Sequence, residues 1–209
     1  MHPNPLLSLL LIASILSSCT VMNEQQCAYS DWTAVGYEDG ADGRGSDRFG
    51  DYQRACTDFG ITPDFQAWQQ GRNQGLLEYC QAQRGFQVGQ YGGSYNGVCN
   101  SDTEPDFLEG YRLGSELYGL RSQLSAIESQ ITTNQRALED IDRDVSEIED
   151  IIVLEETTRE ERAALLADMR ELSEVRGELE LEAELLIEQR VLAELALEQF
   201  ELTLIDAGF

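Results

Sequence analysis

Residues 68–80 read WQQGRNQGLLEYC. Gly71 and Gly75 stand four apart, and Cys80 closes the run. Four readings compete: a phosphate-cradling loop, a membrane-helix contact, a redox thiol, or a tightly packed helix. A phosphate or dinucleotide loop places its glycines between a strand and a helix, often with a Lys, and neither condition is met. A membrane contact needs about 20 apolar residues, whereas Arg72, Asn73 and Gln74 fill the gap between the glycines. A redox thiol wants a cationic neighbour and a close second Cys, which are absent. The remaining reading is a helix from Pro63 to Cys80, with Gly71 and Gly75 as a bare stripe for close backbone packing and Cys80 as a staple.

The same spacing recurs at Gly36/Gly40, Gly85/Gly89 and Gly110/Gly114, a weak internal repeat. Two of the pairs follow a shared Pro-Asp-Phe, at 63–65 and 105–107. Pro with a following Asp suits the first turn of a helix, since the missing N–H loses nothing there and the carboxylate meets the positive dipole end. Thr62 is the expected N-cap of the first. Helices are therefore expected near 30–40, 47–58, 64–80 and from 105 onward, with Asp31 and Trp32 capping and anchoring the first. The stretch GFQVGQYGGSYNGVC (85–99), with alternating aromatics and an Asn96-Gly97 turn signal, reads as loop or small hairpin.

Composition changes near residue 120. Of the 18 glycines only Gly177 and Gly208 lie beyond it, and no Pro or Cys does. Beyond it the chain is Glu, Leu, Ala and Ile with a seven-residue period. Leu117, Leu124, Ile131, Leu138, Val145 and Ile152 form one row, interleaved with Leu120, Ile127, Asn134, Ile141 and Ile148. This is the a/d seam of a coiled coil, with Asn134 as a buried-position residue that fixes register. A new row, Leu165, Leu172, Leu179, Leu186, Ala193 and Phe200, runs one residue out of phase. Between the two, Thr157 to Glu160 fits a capping box. The phase slip and the fresh cap favour a turn near 155–158 and a helical hairpin about 60–70 Å long. One continuous helix dimerising in parallel is the alternative.

At the other end, Leu6–Leu16 is an apolar run too short to span a bilayer but fitted to the centre of a secretory signal. It leads into Leu16-Ser17-Ser18-Cys19, which resembles a bacterial lipobox with Cys19 as the lipidated residue; the lack of Lys or Arg before the run is a departure. Thr20, rather than Asp, after that Cys favours the outer membrane. Multiple acyl chains, at about 0.8 kcal/mol per buried methylene, would anchor the chain without a transmembrane helix. In an oxidising periplasm Cys27, Cys56, Cys80 and Cys99 read as two disulfides. If 47–58 and 64–80 are antiparallel, about 24 Å of helix separates Cys56 from Cys80, which disfavours that pair. Cys27–Cys56 with Cys80–Cys99 is the preferred pairing, and Cys27–Cys80 with Cys56–Cys99 stays open.

Taken in order, DWTAVGYEDGADGRG, Cys56, GITPDF, GRNQGLLEYC, GFQVGQYGGSYNGVC and the FxxGYxxG at 107–114 resemble the bacterial lipoprotein family catalogued as Domain of Unknown Function 2799, over about 27–120. The resemblance implies a secreted or lipid-anchored envelope protein and brings no catalytic residues.

The expected fold class is mainly α: a small disulfide-stapled Gly-rich helical domain (27–119) after a signal (1–18) and tether (19–26), then an acidic coiled-coil hairpin (120–209). The helix-packing glycines are Gly36, Gly40, Gly71, Gly75, Gly110 and Gly114. A formal charge of −25 with no Lys makes nucleic acid an unlikely partner. The only His is His2, inside the expected signal, which excludes His-based triads, Cys-His pairs, His zinc sites and Lys nucleophiles from the remainder. Carboxylate pairs stay chemically available for glycoside hydrolysis, with Glu38, Asp39 and Asp42 as candidates, but 39 acidic residues make proximity uninformative. The segment 37–47 fails as an EF-type calcium loop, since Ala41 and Gly50 occupy ligand positions. No metal and no cofactor is expected. The function expected is an outer-membrane lipoprotein facing the periplasm, a scaffold or partner-binding module contacting the membrane through Cys19 and a protein partner, or itself, through the coiled coil. The competing readings are a carboxylate-dependent cell-wall glycan enzyme and an accessory subunit of an envelope transport complex.

Overall fold

The structure is a computed structural model that describes residues 21–209. The expected signal segment 1–18, Cys19 and Thr20 lie outside the described residues. Seven helices follow in order: α1 (Glu24–Tyr29), α2 (Trp32–Ala41), α3 (Arg48–Thr57), α4 (Phe65–Tyr79), α5 (Ala82–Gln90), α6 (Glu104–Ile152) and α7 (Arg159–Ala207). The described residues contain no strand, and none of their helices is long and apolar enough to cross a membrane.

The chain divides into two compact units at Tyr79/Cys80, with Asn96–Val98 assigned to the first. The compositional boundary near 120 instead falls inside α6, because the helix that begins by packing on α5 continues unbroken into the heptad seam. Residues 24–26 of the expected tether belong to α1, which is started by a reciprocal cap between Asn23 and Gln26.

In the first unit α2 lies on α4 through both glycine pairs. A Cβ on Gly36 would run into the carbonyl oxygen of Trp68, and one on Gly71 into that of Thr33. Gly40 and Gly75 face Arg72 and Tyr37 carbonyls in the same way. No side chain separates the two backbones here, so any larger residue forces the helices apart. Asp31 caps α2, accepting from the Thr33 and Ala34 amides. The α4 cap is Asp64, which accepts from Gln66 and Ala67. It displaces the expected Thr62 because the helix begins at Phe65, two residues later than Pro63 suggested. The core gathers Cys27, Trp32, Phe49, Tyr52, Cys56 and Trp68, and a disulfide joins Cys27 of α1 to Cys56 of α3.

In the second unit the same device recurs. Gly85 and Gly89 of α5 meet the Phe107 and Tyr111 carbonyls, and Gly110 and Gly114 of α6 meet those of Ala82 and Phe86. The expectation of a loop or hairpin over 85–99 is corrected here. Residues 82–90 are helical because their glycines complete this contact, and only 91–103 form the connection. That connection is tied down by the Cys80–Cys99 disulfide, by Tyr95 donating to Glu104 at 2.8 Å, and by Tyr111 donating to the Gly93 carbonyl at 3.0 Å. Both short helices end alike. Gly43 and Gly92 adopt φ +70°, where a side chain is strained, and a Cβ on either would strike the ring of Tyr79 or Tyr118.

α6 and α7 form the hairpin, each 49 residues and so about 73 Å long. They run antiparallel: Leu117 packs with Leu204, and Ile127 with Leu186 and Ala193. The turn occupies 153–158. Its capping box is Thr158 with Glu161, one residue beyond the expected Thr157–Glu160, because Thr157 is used to close α6 by donating to the Ile151 carbonyl.

Both Trp residues lie in the first unit, so Trp fluorescence reports that unit alone. Gly36→Ala or Gly71→Ala should lower its unfolding free energy in urea by about 3 kcal/mol. Gly177→Ala, whose Cβ meets nothing within 4 Å, should stabilise the helical signal at 222 nm by about 0.5–1 kcal/mol; equal effects at the three sites would refute the backbone contact. A second expectation concerns pH. The Glu161 carboxyl is held below its usual range, chiefly by the Thr158 amide and then by the Thr158 hydroxyl. A lowered folded value gives stability above the ordinary carboxylate range that disappears as pH falls through it. The thermal-midpoint difference between the natural chain and Glu161→Ala should therefore be present at neutral pH and close as acid is added, and a gap that widens in acid would contradict this.

Candidate functional site

The helical period of α2 decides which of its residues meet α4. Trp32, Gly36, Asp39 and Gly40 fall on one face, at steps of three and four. Asp39 is thereby turned inward and is only 7% exposed. Its two oxygens are taken: Tyr52 Oη donates to Oδ1 at 3.0 Å, and Trp68 Nε1 donates to Oδ2 at 2.8 Å. Arg48 Nε stands 4.0 Å from Oδ1, and its guanidinium lies 5.0 Å over the Tyr52 ring. Burial, first of all, pushes the Tyr52 hydroxyl above its ordinary value, and the Asp39 charge adds to the rise. The Asp39 carboxylate is thus satisfied in a polar knot inside an aromatic core of Trp32, Phe49 and Trp68 rings, while the buried Arg48 Nε beside it has no hydrogen-bond partner.

The second unit carries an apolar counterpart. Counted from the glycines, Trp68 corresponds to Phe107 and Asp39 to Val88. Phe107 is fully buried and has no N–H to satisfy, so the acceptor opposite it is dispensable. In the first unit Asp39 is the acceptor that the Trp68 N–H needs. Glu38 and Asp42, the other candidate carboxylates, are exposed while Asp39 faces the core, so the three do not converge. Among the described residues no group of three or more His, Cys, Asp or Glu side chains is placed to hold a metal ion. Alongside α3 lies an open groove of about 860 Å³, where Arg54 is ion-paired to Asp51.

The remaining candidates are placed as follows. Cys19 lies outside the described residues. Cys27 pairs with Cys56 and Cys80 with Cys99. Gly36, Gly40, Gly71, Gly75, Gly110 and Gly114 all sit at the helix contacts. Of the first heptad row, Leu117 is buried and Leu124, Ile131, Leu138, Val145 and Ile152 are half-buried against α7; Ile127, Asn134 and Ile141 of the second row are buried deeper. Asn134 Nδ2 donates to Glu182 at 3.3 Å, while its buried Oδ1 has no partner. With ion pairs from Arg121 to Glu201 and from Arg176 to Asp142, it sets the register of the hairpin. The inward turn of Asp39 went unread in the sequence, although its spacing from Gly36 and Gly40 carries the signal.

Residues 31–116 match the family described as "Protein of unknown function (DUF2799)". The match starts at the α2 cap and ends just past Gly114, so it takes in both glycine-paired helix couples and leaves out Cys27 and most of the hairpin. No curated protein matches the chain, and no solved structure does.

Removing the acceptor should be costly in this core. Asp39→Ala leaves the Trp68 N–H and Tyr52 O–H unpaired and should destabilise the first unit by about 2–6 kcal/mol, at about 1–3 kcal/mol per orphaned buried group. Asp39→Asn keeps an acceptor for one donor and should cost less. Trp fluorescence during urea unfolding reads both variants; a neutral Asp39→Ala would show the knot to be dispensable.

Proposed function

We propose that this protein is a lipid-anchored protein of the bacterial cell envelope, held at the outer membrane through Cys19 and facing the periplasm, with a structural, partner-binding role rather than an enzymatic one. The observation that carries the reading is the α6–α7 hairpin: nearly half of the chain is spent on two helices about 73 Å long. A pair of helices of this length offers a long, regular surface to another protein, with open grooves of about 420 Å³ between them near the turn.

Other features support the same reading. Two disulfides suit an oxidising compartment. The apolar run ending in Leu16-Ser17-Ser18-Cys19 supplies the export signal and the anchor point. Beyond His2 the chain has neither His nor Lys, which leaves carboxylates and Tyr hydroxyls as the side chains for acid–base work. The carboxylate most enclosed by the fold, Asp39, is committed to two internal donors.

Metabolic labelling with a palmitate analogue in bacterial cells tests the anchor. The natural chain should take up label and fractionate with outer membranes, and Cys19→Ala should do neither; an unlabelled natural chain would sink the anchor. Incubation with peptidoglycan fragments tests the role. Turnover that disappears on substitution of an Asp or Glu in residues 27–119 would replace this reading with the enzymatic one.

A further inference from the structure

α7 carries two apolar faces, and the hairpin uses one. Leu186, Ala193 and Leu204 are buried against α6. On the opposite side Leu181, Leu185, Leu192, Leu195 and Leu202 remain between 48% and 66% exposed. With Glu188 and Gln199 they occupy positions 181, 185, 188, 192, 195, 199 and 202, alternating steps of four and three. That is a second heptad seam, about 32 Å long at 1.5 Å per residue. Solvent exposure of one such leucine is ordinary, but five of them along three heptads, interrupted only by Glu188 and Gln199, form an interaction surface.

From this seam we infer that the outer face of α7 docks an amphipathic helix of a different protein, one with a leucine-type seam flanked by Lys or Arg. The spacing selects a helix, since steps of four and three mesh with knobs repeating every seven residues. The flanks select its charge. Glu184 and Glu198 border the stripe beside neutral Gln189, Val191, Ala196 and Thr203, Glu188 stands within it, and no cationic side chain lies among these positions; Glu182 is turned to Asn134 of α6. Glu184, Glu188 and Glu198 are exposed and in none of the described ion pairs. A second copy would set these carboxylates against their own kind in a chain of net charge −25. A membrane surface is also disfavoured, because helices that lie in anionic lipid carry cations on their polar side, and this one carries carboxylates. A basic helix satisfies both the leucines and the glutamates. The inference rests on the partner-binding reading above and names the partner's chemistry.

Designed peptides of about three heptads supply the probe: Leu at the a and d positions with Lys at e and g, and the same seam with Glu at e and g. The purified chain should bind the Lys-flanked peptide saturably in fluorescence anisotropy, more weakly as salt rises, and should ignore the Glu-flanked one. The triple variant Leu185→Gln/Leu192→Gln/Leu195→Gln keeps every charge and alters only exposed side chains, so circular dichroism should be unchanged while affinity falls at least tenfold. Glu184→Gln/Glu188→Gln/Glu198→Gln should weaken binding by a similar factor. Three outcomes would overturn the inference: no binding, binding untouched by the leucine variant (charge attraction alone), or a sedimenting dimer of the natural chain that the leucine variant dissolves (a second copy as occupant). These results are independent of Cys19 labelling, so a failed docking face leaves the anchored-protein reading standing, and a failed label leaves the docking face testable.

Discussion

Helix backbones that touch without intervening side chains are the constraint on which the rest of this molecule depends. The contact is made twice, between α2 and α4 and between α5 and α6, each time by two glycines from either helix set against carbonyls of the other. Such proximity leaves little room for apolar side chains along the seam, so each couple must be held by what flanks it. In the first unit that is an aromatic cluster and the Cys27–Cys56 bond; in the second it is Phe107 with Tyr95 and Tyr111 and the Cys80–Cys99 bond. A disulfide closing a loop of this length contributes about 3 kcal/mol on the chain-entropy account. For units with small cores that is a large share of a stability expected to be modest.

The repeat also explains why one half is polar inside and the other is not. Trp68 and Phe107 occupy equivalent places, three residues before the first glycine of their pair. The indole brings an N–H that must be answered, and Asp39 answers it at the cost of burying a carboxylate, which Tyr52 and Arg48 then help to offset. Where Phe107 stands, no such chain of consequences begins. A feature that looks like a site, a buried acid among aromatics and an arginine, is thereby accounted for by one donor in the core.

Much of this was legible from residue spacing alone. The glycine pairs, the heptad rows and the slip in phase before Leu165 all express helical period directly; helix length disfavoured only Cys56–Cys80, and of the two pairings left the preferred one is in the structure. What spacing obscured has physical causes. Around 85–99 the glycines that complete a helix contact sit beside Gly92, Gly93 and Gly97, whose turn character masked the helical turns before them. Asp64 and Thr158 cap their helices where Thr62 and Thr157 were expected, because adjacent capping-type residues compete and only the three-dimensional path of the entering chain chooses between them. The outward leucines of α7 were hidden by the same periodicity that revealed the inward ones, since a helix apolar on two sides gives overlapping sevenfold rows. The compositional break near 120 marks a change of surroundings along one helix, and the units part elsewhere.

The cysteines are bonded first to second and third to fourth, 29 and 19 residues apart. Synthesis proceeds from the N-terminus, so Cys56 emerges when Cys27 is the only one of these four thiols before it, and that pair can close before Cys80 appears. Cys80 then finds Cys99 as its remaining mate. Consecutive connectivity of this kind allows the bonds to form in the order in which the thiols emerge.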